Sequence, residues 1–214
     1  MKRLSYIIPL VVLCLFCSFS AEATTISGKI QVRNVSSISN DAALSGKDMV
    51  VVWLEGEIET KSPVVPSKIS QHEMQFLPDF LVAVKGDKIE VLNEDDVMHS
   101  VYSFTGRNRF DLGVYPRGES RFVTLENTGI VDLLCSIHKS MHARIFVVPN
   151  RYFGTALAGQ SYTIKNVPPG HYILKAWRER SPMFQKGIVV PENGTFVENL
   201  ALENGVQTAS QAKE

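Results

Sequence analysis

The chain has 214 residues, 22 of them basic and 22 acidic, so it carries no formal net charge. That balance excludes the basic excess that nucleic-acid binding asks for and gives no reason to expect an anionic membrane surface as a partner. A chain of this length can bury a sizeable core, as one large or two small domains.

In chain order, Met1-Lys2-Arg3 is a short positive start, Tyr6 to Phe19 is apolar apart from Pro9 and Ser18, and Ala21-Glu22-Ala23 supplies a small-x-small pattern. Residues 1–23 read as a secretory signal peptide, because the apolar run is shorter than the roughly 20 residues a spanning helix needs. Export to the periplasm follows, with no membrane insertion after cleavage. Removing Lys2, Arg3 and Glu22 leaves 20 basic and 21 acidic residues. Cys14 and Cys17 leave with the signal, so Cys135 remains alone and no internal disulfide can form. A leftover thiol in an oxidising compartment is either a buried, inert group or a metal ligand or nucleophile.

Beyond the signal the pattern is of short strands rich in Val, Ile, Phe and Tyr. The predicted strands are Thr25–Val32, Met49–Glu55, Phe80–Val84, Lys88–Asn93, His99–Phe104, Ser120–Leu125, Gly129–Leu134 and Ala143–Val148. A loop is expected over 33–48, and turn signals such as Lys85-Gly86-Asp87 and Pro116-Arg117-Gly118 separate the strands. No long run has helical periodicity. The class is therefore all-β, an antiparallel sandwich or barrel. After Pro149-Asn150 the pattern restarts with Ser161–Lys165, His171–Trp177, Ile188–Val190 and Thr195–Leu202. The division expected is 24–149, then a smaller β segment over 150–202 packed on it, then a polar, disordered tail over 203–214.

Chemistry concentrates in Cys135-Ser-Ile-His138-Lys-Ser-Met141-His142, between two predicted strands. A thiolate, an imidazole and a thioether within seven residues can fold around one point. Soft sulfur with imidazole selects copper over magnesium, calcium or manganese, and one Cys with two His and a weak axial Met is the blue-copper arrangement. His99, at a strand start after the turn Asn93–Asp96, is the candidate second histidine. His142 is the second choice, since alternation turns it away from Met141. His72 and Met74 read as surface polarity or a second copper site, and His171 as structural. Zinc is the rival metal, although it prefers four strong ligands and Met is a poor one. A cysteine nucleophile served by His138 or His142 is a further rival.

The run Ile89–Asn93, His99–Ser103, Phe110–Gly113, Tyr115, Gly118, Gly129, Cys135-Ser-Ile-His138 and Met141 resembles the plastocyanin-like cupredoxins, and the short Cys-x2-His-x2-Met loop is similar to that of amicyanin. Tyr162-Thr-Ile-Lys-Asn166-Val-Pro-Pro-Gly170-His-Tyr172 looks like a carboxypeptidase regulatory, transthyretin-like segment. The pairing of the two resembles exported bacterial proteins of the methylamine-utilisation type. The resemblance implies a cupredoxin Greek-key sandwich followed by a small β-sandwich-like segment, with one type 1 copper ion held by His99, Cys135, His138 and Met141. Relatives often have Asn where this chain has Ser100, and Pro where it has Lys139. Ser100 can still hydrogen-bond a neighbouring loop.

The expected function is one-electron transfer with a transient redox protein partner, and not enzymatic catalysis. The electron port implied is the edge of His138, with Ile137 and Phe104 contributing an apolar surround. One alternative is a periplasmic copper carrier or storage protein, which His72, Met74, Met98 and His142 near the site would favour. The other is a β-sandwich interaction module with incidental copper, in which Tyr152, Tyr172 and Trp177 would form an exposed aromatic patch instead of core.

Overall fold

The computed structural model describes residues 23–34, 49–58 and 67–204. Residues 1–22 of the expected signal peptide, residues 35–48 of the expected loop and residues 205–214 of the expected tail lie outside the described residues, while Arg33 and Asn34, expected in the loop over 33–48, are the last residues of the first strand. Within them the chain is all-β, with seventeen strands. None of its helices is long and apolar enough to cross a membrane, since the described residues contain no helix.

The strands are β1 (Thr24–Asn34), β2 (Met49–Glu55), β3 (Ser67–His72), β4 (Gln75–Leu77), β5 (Phe80–Val84), β6 (Lys88–Asn93), β7 (His99–Ser103), β8 (Phe110–Tyr115), β9 (Ser120–Thr124), β10 (Gly129–Leu134), β11 (His142–Val148), β12 (Phe153–Leu157), β13 (Ser161–Val167), β14 (Gly170–Arg178), β15 (Phe184–Val190), β16 (Thr195–Val197) and β17 (Leu200–Asn204). Four of them, β3, β4, β8 and β12, are absent from the sequence reading. Ser67–His72 and Gln75–Leu77 are polar or very short, and Phe110–Tyr115 and Phe153–Leu157 each carry a glycine, which weakens a strand pattern. The expected strand Thr195–Leu202 is two strands, broken at Glu198-Asn199.

The strands form four sheets: β13-β1-β16 with β17 also on β1, β12-β2-β14-β15, β5-β11-β10-β7-β8 and β4-β3-β6-β9. Chain order groups Thr25–Val32 and Met49–Glu55 with the 24–149 segment. Their partners lie elsewhere: β1 pairs with β13, β16 and β17, and β2 pairs with β12 and β14. Nothing local in a strand states which other strand its hydrogen bonds will meet. Glu203 and Asn204, expected in the tail, extend β17 against Arg33 and Asn34.

Three apolar clusters glue these sheets into a stack. Ile26, Ile30, Val52, Leu54, Tyr162, Ile164 and Leu174 fill one sandwich, and Ile69, Ile89, Val91, Val101, Val131, Leu133 and Ile145 fill the other. Between them lie Val51, Trp53, Val84, Phe146, Val148 and Trp177. The middle two sheets are thus covered on both faces. Val50, Val52 and Leu54 of β2 point one way, while Val51 and Trp53 point the other. That double burial is why β2 reads as an unbroken apolar run instead of an alternating one. Rings stack through this middle layer: Phe146 and Trp177 at 4.7 Å, Trp53 and Phe146 at 5.3 Å, and Phe80 parallel to Trp177 at 6.1 Å. Arg144 reaches Glu179 at 3.2 Å across the seam, and Arg151 grips the buried Asp87 carboxylate with both guanidinium ends. Tyr172 and Trp177 are core residues, each only 6% exposed, so the exposed aromatic patch is not formed.

Two glycines are sterically required: a Cβ on Gly154 of β12 would run into the carbonyl oxygen of Thr163, and the tighter case is Gly28. A Cβ on Gly28 would overlap the carbonyl oxygen of Glu198, at the break between β16 and β17. The backbones close there through Glu198 N donating to Ser27 O and Lys29 N donating to Asn199 Oδ1.

Candidate metal centre

The site lies at one end of the sandwich built from β3 to β11. Cys135 follows the last residue of β10, and Met141 precedes the first residue of β11. His99 opens β7, and alternation turns it to the inward side with Val101, whose side chain is in the core. β7 runs antiparallel to β10 with Leu134 facing Tyr102, so the chain leaving β10 passes Ser100 and then His99. That register brings together two loops that are 36 residues apart in sequence.

The hydroxyl of Ser100 locks the register. It accepts from Ser136 N at 2.8 Å, lies 2.6 Å from Ser136 Oγ and reaches the Cys135 sulfur at 3.9 Å. The loop then turns tightly, with Met141 N donating to His138 O at 3.0 Å and His138 N reaching Cys135 Sγ at 3.4 Å. Three ligating atoms converge as a result. Cys135 Sγ is 3.8 Å from His99 Nδ1 and 4.0 Å from His138 Nδ1, and the two Nδ1 atoms are 3.0 Å apart. Among the described residues these three form the group of ligating side chains able to hold a metal ion. Met141, 1% exposed, is buried in the same core cluster as Cys135.

The donor set fits a metal. With bonds of about 2.0 Å to nitrogen and 2.3 Å to sulfur, a trigonal site has edges of roughly 3.5–3.8 Å, close to the triangle here. The three donors are two imidazoles and a thiol, no carboxylate joins them, and the other buried residue of the 135–141 loop is a thioether, Met141. That is a soft set, poor for magnesium or calcium and short of the four strong ligands structural zinc takes. Burial pushes the Cys135 thiol up, but hydrogen bonds from the backbone of His138 and Ser100, the His99 side chain and the backbone of Ile137 outweigh it and bring it down to about 6. The thiolate, the form that binds metal, is thereby favoured near neutral pH.

Behind His99 stands Asp95, whose Oδ2 is 2.8 Å from His99 Nε2. Burial raises this carboxyl, yet the Met74 and Glu73 amides and the His99 ring together hold it below its ordinary range. Asn93, fully buried, shapes the intervening loop: Nδ2 donates to Val97 O and Tyr115 O, and Oδ1 accepts from Asp95 N. The sequence reading identifies Asn93–Asp96 only as a turn. The Asx turn from Asn93 to Asp95 was its one available signal.

The remaining candidates fall elsewhere. His142 is exposed and lies 3.0 Å from Asp132, on the opposite side of its strand from the buried Met141. The His72 side chain is 53% exposed and Met74 is 53% exposed, on the β3–β4 turn; His171 is exposed on β14. Ile137, Val97 and Met98 are 45–51% exposed on the two loops that carry His138 and His99. Phe104 is exposed too, but it follows the far end of β7 from His99, about 16 Å along the strand, and packs on Tyr102. It does not belong to the surround of His138.

No protein-family model matches this chain, and no curated protein matches it. Solved structures do. A purple cupredoxin from Nitrosopumilus maritimus is 18% identical over 38% of this chain and 99% of its own, with a TM-score of 0.35. A reduced form of an amicyanin variant is 16% identical over 45% and 98%, at 0.37. A Cu-containing nitrite reductase from Thermus scotoductus is 22% identical over 55% of this chain and 28% of its own, at 0.38.

Proposed function

We propose that this chain is an exported type 1 copper protein that carries single electrons between redox partners and is not itself an enzyme. The observation that carries the reading is the convergence of His99 Nδ1, Cys135 Sγ and His138 Nδ1, with His99 and Cys135 buried and Met141 buried in the same core cluster as Cys135. Copper bound there supplies one-electron chemistry by alternating between Cu(I) and Cu(II). The residues around it hold the donors still. His99 is tied to Asp95, and the Cys135 sulfur receives Ser100 Oγ and His138 N, so the donors shift little when the charge of the site changes. His138 is the half-buried member of the triangle. Its ring is the exit toward a partner, and exposed Ile137, Val97 and Met98 make a small apolar rim suited to a brief contact. In this reading residues 67–148 are the copper-binding unit, and the strands before and after it form a support nested around it.

Titrating the chain with one equivalent of Cu(II) tests this by visible absorption and electron paramagnetic resonance. An intense thiolate-to-copper band that Cys135→Ala abolishes is the expected result. Its absence from the unsubstituted chain overturns the reading. Exposed Met74 and Met98 favour a second reading, copper delivery. A carrier of that kind gives its copper quickly to a Cu(I) chelator, whereas an electron carrier retains it in both oxidation states.

A further inference from the structure

We propose that Asp95 is a positioning residue: its carboxylate fixes the His99 ring so that Nδ1 faces the metal, while the same carboxylate anchors the β3–β4 hairpin tip. The inference rests on the copper reading above. The Asp95 side chain is only 11% exposed, and every contact it makes is directional. Oδ2 lies 2.8 Å from His99 Nε2 and accepts from Met74 N at 2.9 Å, while Oδ1 accepts from Glu73 N at 2.5 Å. Its own amide donates to Asn93 Oδ1 at 2.9 Å.

An imidazole that donates Nε2–H to a carboxylate carries its lone pair on Nδ1. In His99 that atom is the one aimed at Cys135 and His138. The ring is fully buried, so no water competes for Nε2. The hairpin tip needs the carboxylate as well. Glu73 and Met74 sit at φ of 50° and 56°, a left-handed pair that two-residue turns normally build from Asn-Gly. Their two amides point into the Asp95 carboxylate. One side chain therefore ties a surface turn to a buried ligand. A negative charge at this distance also favours the more positive oxidation state of the metal, so it lowers the reduction potential.

The test separates the two duties of Asp95. Glu73→Asn with Met74→Gly makes the tip self-sufficient, and Asp95→Asn and Asp95→Ala are built in that background. Nitrogen-detected NMR of the metal-free chain reads the His99 tautomer. Asn can still accept from Nε2–H, so Asp95→Asn is expected to keep the tautomer and raise the potential of the copper-loaded chain by about a tenfold shift in the reduced-to-oxidised ratio, 59 mV for one electron. Asp95→Ala is expected to mix the tautomers and weaken Cu(II) binding by about 10–100-fold. An unchanged tautomer and an unchanged Cu(II) affinity in Asp95→Ala overturn the proposal. If the unsubstituted chain develops no thiolate–copper band, the copper reading fails, and the metal-free tautomer still decides whether Asp95 orients His99.

Discussion

The two sandwiches solve the same packing problem with different core contents. Each closes two sheets over an apolar layer, and each buries one tyrosine whole: Tyr115 in the sandwich of β3 to β11, Tyr162 in the other. Yet the first also buries Gln71, Asn93, His99, Ser100 and Ser103, all at most 3% exposed, while among the described residues the second has Thr24 as its one comparably buried polar residue outside the seam region of Asn150 and Ser181. Burying polar groups costs stability unless each finds a partner. The first sandwich supplies partners at one end, where Asn93, Asp95 and Ser100 hold the loops that bear His99, Cys135 and His138, although the buried Oε1 of Gln71 is left without one among the described residues. The lesson is a division of labour, with one sandwich tolerating a polar end because a second, more conventional one buttresses its back through Trp53, Phe146 and Trp177.

The strongest way to break this comparison is at the seam. Trp177→Ala empties the middle layer where Phe80 and Phe146 stack, and should cost about 3–5 kcal/mol. Calorimetry should then show two transitions in place of one, whereas a single transition would mean the sandwiches are not coupled through this layer. Next, Gly28→Ala drives a methyl into the Glu198 carbonyl and should destabilise by about 3 kcal/mol, since backbone cannot give way. The loss should appear in urea unfolding and leave metal binding per folded molecule unchanged, because β1 lies in the buttress.

Asn93→Ala is the converse. It removes two donated bonds and one accepted bond from the loop before His99, and should cost about 2 kcal/mol while weakening metal binding, read by unfolding and by chelator competition. A stability loss with untouched affinity would separate loop order from site order.

The tyrosines give the smallest contrast. Burial pushes Tyr115 up to about 12 and Tyr162 higher still. Both hold their protons above the ordinary value of about 10, so the folded chain binds more protons than the unfolded one at alkaline pH. Stability is therefore full below about pH 10 and falls as pH rises through 10 to 12. Tyr162→Phe loses the bond to Glu198 O, about 1 kcal/mol near neutral pH, and should flatten that alkaline decline. An alkaline unfolding curve as steep as that of the unsubstituted chain would mean other groups dominate there.

Much of this was legible along the chain. The all-β class followed from short strands between Gly, Pro and Asn turns, and eight of the strands before Pro149 lie where Val, Ile and Phe mark them. Cys135, His138 and Met141 were conspicuous because they share one short loop, and the outward turn of His142 followed from strand alternation. Strands β3 and β4 were not legible, because the inward face of β3 offers one apolar side chain, Ile69, followed by the polar Gln71, and β4, the edge strand, is only three residues long.

What the sequence by itself determined is local: the period-2 strands, the turn chemistry, and a single cysteine within reach of a histidine and a methionine. What only the tertiary structure decided is non-local. It paired β1 with strands more than 130 residues away, set His99 Nδ1 3.8 Å from the Cys135 sulfur, and placed Asp95 behind that ring. Side-chain patterns encode which face of a strand is buried, but strand partners are chosen by the packing of whole sheets against one another, and a buried carboxylate can be recognised only once the imidazole it serves has been brought to it.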